Sequence, residues 1–112
     1  MERVHQARPK PKLFLGGVRS GYLMKHYYKR YIDGGHIVIC PNLTYLGMQR
    51  TSDIDTETII QDCIDNLSIC NKAIFIIDQF TSVDSIFIEH EIKYCKNNNI
   101  PYHIIKVETI IK

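Results

Sequence analysis

The chain has 112 residues and a mass of 13.1 kDa, about the size of one domain, and an apolar content of 45% that includes 19 isoleucines. Charged residues make up 23% and the formal net charge is +2, which argues against an acidic solvating tail and against a strongly basic protein that coats nucleic acid. The longest apolar run, AIFII at 73–77, falls far short of the roughly 18 residues that cross a bilayer, which excludes a membrane-spanning helix.

The opening stretch MERVHQARPKPK carries two prolines and no hydrophobic periodicity, so residues 1–11 read as a flexible arm ahead of a single domain over 12–112. KLFLGG at 12–17 is a short apolar run ending in paired glycines, the pattern of a buried strand entering a tight loop. In the following RSGYLMKHYYKRYI, Leu23, Tyr27 and Tyr31 recur every four residues and predict a helix. Gly34 and Gly35 stop it, and HIVIC at 36–40 predicts a second strand ended by Pro41.

NLTYLGMQRTSD has weak periodicity and reads as loop. From Asp55 a second helix is expected, with Ile60, Ile64 and Leu67 on its apolar side and Asp62 and Asp65 among them. AIFIID at 73–78 is a continuous apolar run suited to a parallel strand covered on both faces, and it ends in Asp78. After the polar QFTSVDS, the segment IFIEHEIKYCKNNN places Phe87, Ile88, Ile92 and Cys95 at helical spacing, and Asn97, Asn98 and Asn99 terminate that helix. IPYHIIKVETII supplies a last strand, with Pro101 at its start, where a missing N–H costs least.

Strand alternating with helix in this way predicts an α/β fold: a small Rossmann-like open, mostly parallel sheet of about four or five strands flanked by helices. Ligands of such sheets lie beyond the carboxyl ends of the strands, a rim that here would collect Gly16, Gly17 and Asp78 and the loop leading to Glu89. Charge is divided along the chain. Residues 1–31 hold eight Lys or Arg against one acid, and residues 53–91 hold nine acids against Lys72 alone. Attraction between packed surface helices would account for this division, and so would an acidic pocket wall facing a basic entrance.

The candidate chemistry lies in FIIDQFTSVDSIFIEHEIKYCKNNNIPY, residues 75–102. A buried strand delivers Asp78 to the rim, Asp84 and Ser85 stand at a helix start, and Glu89 follows on its early turns. Carboxylates there feel the positive end of the helix dipole and stay ionised, as a nucleophile or a stabiliser of an oxocarbenium ion must. Plainer roles exist for each: Asp84 as a helix cap, Asp78 as a turn former, and Glu89, Asp62 and Asp65 as solvated helix positions. Glu89 and Glu91 are two apart on a helix and point to different sides, and periodicity alone leaves open which of them faces inward.

KLFLGG, a helix with acids before NKAIFIID, and then SIFIEHEIKYCKNNNIPY together resemble the nucleoside 2-deoxyribosyltransferase-like superfamily, over residues 12–105. The resemblance implies a reaction at the N-glycosidic bond of a 2'-deoxynucleoside or its 5'-monophosphate. Glu89 would stand for the family's nucleophilic glutamate, Asp84 for the nearby assisting acid and Asp62 for the acid on the preceding helix. Ser85 would take the place of a glycine, and Gly16 and Gly17 would line the substrate pocket with Arg19 or Tyr22 close by. It also implies a homodimer or higher homo-oligomer; no cofactor and no metal are expected from the motifs of the chain. Ser85-Ile86 and Lys93 replace residues that are small in that family.

Other motifs are missing. Gly16-Gly17 lacks the third glycine of a dinucleotide fingerprint, there is no phosphate-binding P-loop, and the five histidines have no zinc spacing. The cysteines Cys40, Cys63, Cys70 and Cys95 form no CxxC pair and follow no apolar signal segment, so they read as small core residues of a reduced, cytoplasmic protein. The tyrosines of 22–31, beside Lys25, Lys29 and Arg30, could stack bases, although Tyr27 and Tyr31 share the apolar stripe of Leu23. Two rivals to the enzyme remain: a non-catalytic module that binds a nucleotide or signalling ligand, and a protein-interaction scaffold.

Overall fold

The computed structural model describes residues 9–18, 21–41, 56–78 and 86–108. Among these residues seven elements follow one another: β1 (Lys12–Gly17), α1 (Gly21–Asp33), β2 (Ile37–Ile39), α2 (Thr56–Ser68), β3 (Lys72–Ile77), α3 (Ile86–Asn97) and β4 (Tyr102–Lys106). The strands form one parallel sheet in the order β2-β1-β3-β4. This is the α/β architecture that the alternating apolar runs predict.

Side-chain alternation along the strands sorts the core into two layers. Leu13, Leu15, Val38, Ile74 and Ile76 face one way and meet Met24 of α1, with Leu23, Tyr27 and Tyr31 packed at the margin. Phe14, Ala73, Phe75 and Ile77 face the other way and meet Cys63 and Leu67 of α2 and Ile88 and Cys95 of α3. There Phe75 stacks at an angle against Phe14 (centroids 6.1 Å apart) and Tyr102 (6.2 Å), tying three strands together. Each such pair adds about 0.5–1.5 kcal/mol beyond the area it buries. Among the described residues, one helix therefore covers the first face and two helices cover the second.

Helix ends are closed by local chemistry. At the end of α1 the amide of Gly35 donates to the carbonyl of Ile32 and that of His36 to Tyr31, with Gly35 at φ +93°, a Schellman closure. Asn99, at φ 54°, does the same for α3, where the amide of Ile100 donates to the carbonyl of Cys95. Asn tolerates this left-handed conformation better than most residues, so the run of asparagines stops the helix as expected.

The division of charge takes a different form from packed, attracting helices. α1 carries Lys25, Lys29 and Arg30, and α2 carries Glu57, Asp62 and Asp65 with no Lys or Arg, but the two lie on opposite faces with the sheet between them. Their charges cannot pair within one molecule.

The order of strands reverses direction between β1 and β3, whose connections leave toward opposite edges. At that point Gly17 has φ +117°, and a Cβ built on it would lie 1.9 Å from the carbonyl oxygen of Ile76. The amide of the next residue, Val18, donates to that same oxygen at 2.8 Å. Only glycine lets the two strands remain paired to their ends. Gly17→Ala is expected to cost about 3 kcal/mol or more in urea denaturation, by strain and by overpacking together. Gly35→Ala, where a methyl group would meet nothing within 4 Å, should cost only the conformational penalty of about 1–2 kcal/mol.

Candidate functional site

In open parallel sheets the crevice at a reversal of strand order, beyond the carboxyl ends, is where ligands bind. Here β1 brings Gly16 and Gly17 to that crevice and β3 brings Ile76, Ile77 and the half-buried Asp78. α3 crosses the layer above them, and its phase decides which of its acids faces the sheet.

Glu91 is the acid that faces inward. It is 5% exposed, the one charged residue type among the buried described residues, whereas Glu89 is exposed. Ile88, Glu91 and Cys95 recur at i, i+3 and i+7, so all three lie on the stripe that α3 presents to the sheet. The glutamate on that stripe is what the sequence offered as a signal; Glu89 lies one position off Ile88 and projects away.

The space that receives Glu91 exists because Gly16 has no side chain. A Cβ on Gly16 would lie 3.2 Å from Oε1 of Glu91, 3.0 Å from the ring of Phe14 and 3.3 Å from that of Phe75. The carboxyl group and the two aromatic rings thus converge on the bare side of Gly16. Burial pushes its pKa up to about 8, and a hydrogen bond from the thiol of Cys63 on α2 offsets that in part. At neutral pH Glu91 is mostly protonated, and so can donate as well as accept.

The thiols respond to the same surroundings. Burial first, then the charge and hydrogen bond of Glu91, raise Cys63 above the ordinary thiol range. Burial and then Glu91 push Cys95 up to about 11, and burial pushes Cys70 up to about 11. All four cysteines are buried, and none is in a disulfide. Cys63, Cys70 and Cys95 therefore stay protonated and behave as small core residues rather than nucleophiles.

The other residues of interest are distributed as follows. Gly16, Gly17 and Asp78 come together at the crevice. Tyr22, at the start of α1, is 84% exposed. Asp62 is exposed on α2 and adds its charge to the field on Cys63. Arg19, Asp84 and Ser85 lie outside the described residues. Among the described residues no group of three or more His, Cys, Asp or Glu is arranged to hold a metal ion, and no helix is long and apolar enough to cross a membrane. An open hollow of about 410 Å³ between Cys95, Lys96, Asn99, Ile100, Pro101 and Tyr102 lies at the opposite end of the sheet, at the amino end of β4.

No family model, curated protein or solved structure matches the chain.

The burial of Glu91 fixes the sign of a pH effect. An acid whose folded pKa is raised holds its proton in the native state after the unfolded chain has lost it, so the native state is favoured at low pH. Stability should be greatest below the unfolded value of about 4.5, fall as pH rises toward about 8, and level off above that. Urea denaturation at pH 5, 7 and 9 should show a loss of a few kcal/mol for the wild type. Glu91→Gln, which keeps the shape and cannot ionise, should lose most of that slope.

Proposed function

We propose that this domain is a ligand-binding module for a nucleotide or nucleoside, held over the carboxyl ends of β1 and β3, with Glu91 as the buried group that recognises it. The observation that carries the reading is the buried Glu91 carboxyl beside the bare backbone of Gly16, where the strand order reverses. A neutral acid in a site walled by Phe14 and Phe75 can donate to a carbonyl, ring nitrogen or sugar hydroxyl of a ligand. The carboxyl group is nearly closed off from solvent, so such a hydrogen bond is not diluted by water.

N-glycosidic cleavage or transfer is the second reading, and the placement of a glutamate of α3 against the first glycine loop favours it. Glu91 would then take the nucleophile role that the resemblance assigns to Glu89, because Glu89 is exposed. Its oxygen would form a bond to C1' as the bond from C1' to the base breaks, the base leaving with a proton from a second, protonated acid. Water or a second base would then release the sugar. A nucleophile must be ionised, and with a pKa of about 8 roughly a tenth of Glu91 is ionised at pH 7. Binding needs no such step. That difference ranks it first.

Calorimetric titration with the common deoxynucleosides and their 5'-monophosphates, alongside chromatography for free base, separates the two. Under the binding reading one of them binds saturably, with affinity falling about tenfold per pH unit above 8 as the donor proton is lost. Glu91→Gln then binds within a few-fold of wild type, Glu91→Ala binds at least about tenfold more weakly, and no base is released. Release of base that Glu91→Gln abolishes would establish the second reading instead. Absence of saturable binding across the whole panel would sink both.

A further inference from the structure

We propose that the α1 face of the sheet is a docking surface for single-stranded nucleic acid, a role separate from the crevice and independent of it. Lys25, Lys29 and Arg30 are exposed on α1 together with His26, and the only acid of that helix, Asp33, is joined to Lys29 at 2.8 Å. Strand alternation adds Lys72 and the imidazole of His103 to the same face. Lys72 lies two residues before Ile74 on β3 and His103 two before Ile105 on β4, and both isoleucines belong to the α1 layer. The acidic α2 is behind the sheet, so nothing on that helix neutralises these cations. A net charge of +2 for the whole chain conceals this separation.

The aromatic residues divide in the same way. Tyr27 and Tyr31 pack against the sheet, while Tyr22 is 84% exposed and Tyr28 is exposed on the outer arc. Helical spacing places Tyr22 beside Lys25 and His26, and Tyr28 beside Lys25 and Ile32. Rings that can stack on bases therefore alternate with cations that can meet phosphates, the combination by which single strands are held without sequence preference. α1 has 13 residues and is about 20 Å long, room for at most about six stacked nucleotides.

An anionic membrane fits less well. A helix that lies in a membrane surface must bury its apolar stripe in the lipid, and the apolar stripe of α1, with Met24 and with Leu23, Tyr27 and Tyr31, is already spent on the sheet. An acidic protein would satisfy the cations but leave Tyr22 and Tyr28 without bases to stack on.

The test uses the full chain and a fluorescein-labelled thymidine oligomer of about twelve nucleotides, followed by anisotropy at several salt concentrations. Saturable binding is expected, with a slope of log affinity against log salt of about −2 for three phosphate contacts. The triple variant K25Q/K29Q/R30Q should bind at least about tenfold more weakly near 50 mM salt and flatten that slope. Tyr22→Ala should weaken binding about fivefold or more. Lys93→Gln, on α3 behind the sheet, should change nothing. All of these side chains are exposed, and circular dichroism confirms that each variant is folded. Absence of saturable binding, binding indifferent to the triple variant, or equally tight binding of polyglutamate or of phosphatidylserine vesicles would each overturn the proposal.

Discussion

The centre of this molecule depends on how closely β1 and β3 approach at their carboxyl ends. The carbonyl of Ile76 occupies the space where Gly17 would otherwise carry a side chain, and it accepts the amide of Val18. One residue earlier, the bare backbone of Gly16 opens the room that Glu91 fills from above. Two adjacent glycines therefore do different work on the two faces of one strand. One permits the strands to pair to their ends, and the other permits an ionisable group to be buried beside them.

A lone buried carboxyl group is costly unless it is neutral or paired. This one is handled by both routes. It is held mostly protonated by its surroundings and accepts a hydrogen bond from the Cys63 thiol. A leucine or methionine would fill the same space on the stripe of Ile88 and Cys95 without such a cost, so a carboxyl group in that position calls for a role beyond packing. The proposed ligand supplies that role, since a protonated acid in a largely apolar site is a strong and selective donor.

Much of the architecture was legible because burial in a parallel sheet leaves a simple mark on the chain. AIFIID could be nothing but a covered strand, and Leu23, Tyr27 and Tyr31 fall on one side of a helix whatever that helix packs against. The paired glycines marked the end of β1, and the asparagine run marked the end of α3. The candidate site was less legible. Glu89 and Glu91 differ by about 200° around the helix axis, and a small error in the phase of α3 exchanges them. Ile88, Glu91 and Cys95 at i, i+3 and i+7 contained the answer, but a charged residue on an apolar stripe is usually discounted as noise.

Local periodicity and turn chemistry were enough to specify which segments become strands and helices, because those depend on neighbours within one or two turns of chain. They could not specify which helix lies on which face of the sheet. That follows from strand order, and it turned a charge asymmetry along the chain into one across the molecule, with the sheet keeping α1 and α2 apart. Nor could they specify the state of Glu91, since a pKa is set by everything that excludes water from a group. Phe14, Cys63 and Phe75 come from elements far apart in the chain, and only folding gathers them around one carboxyl.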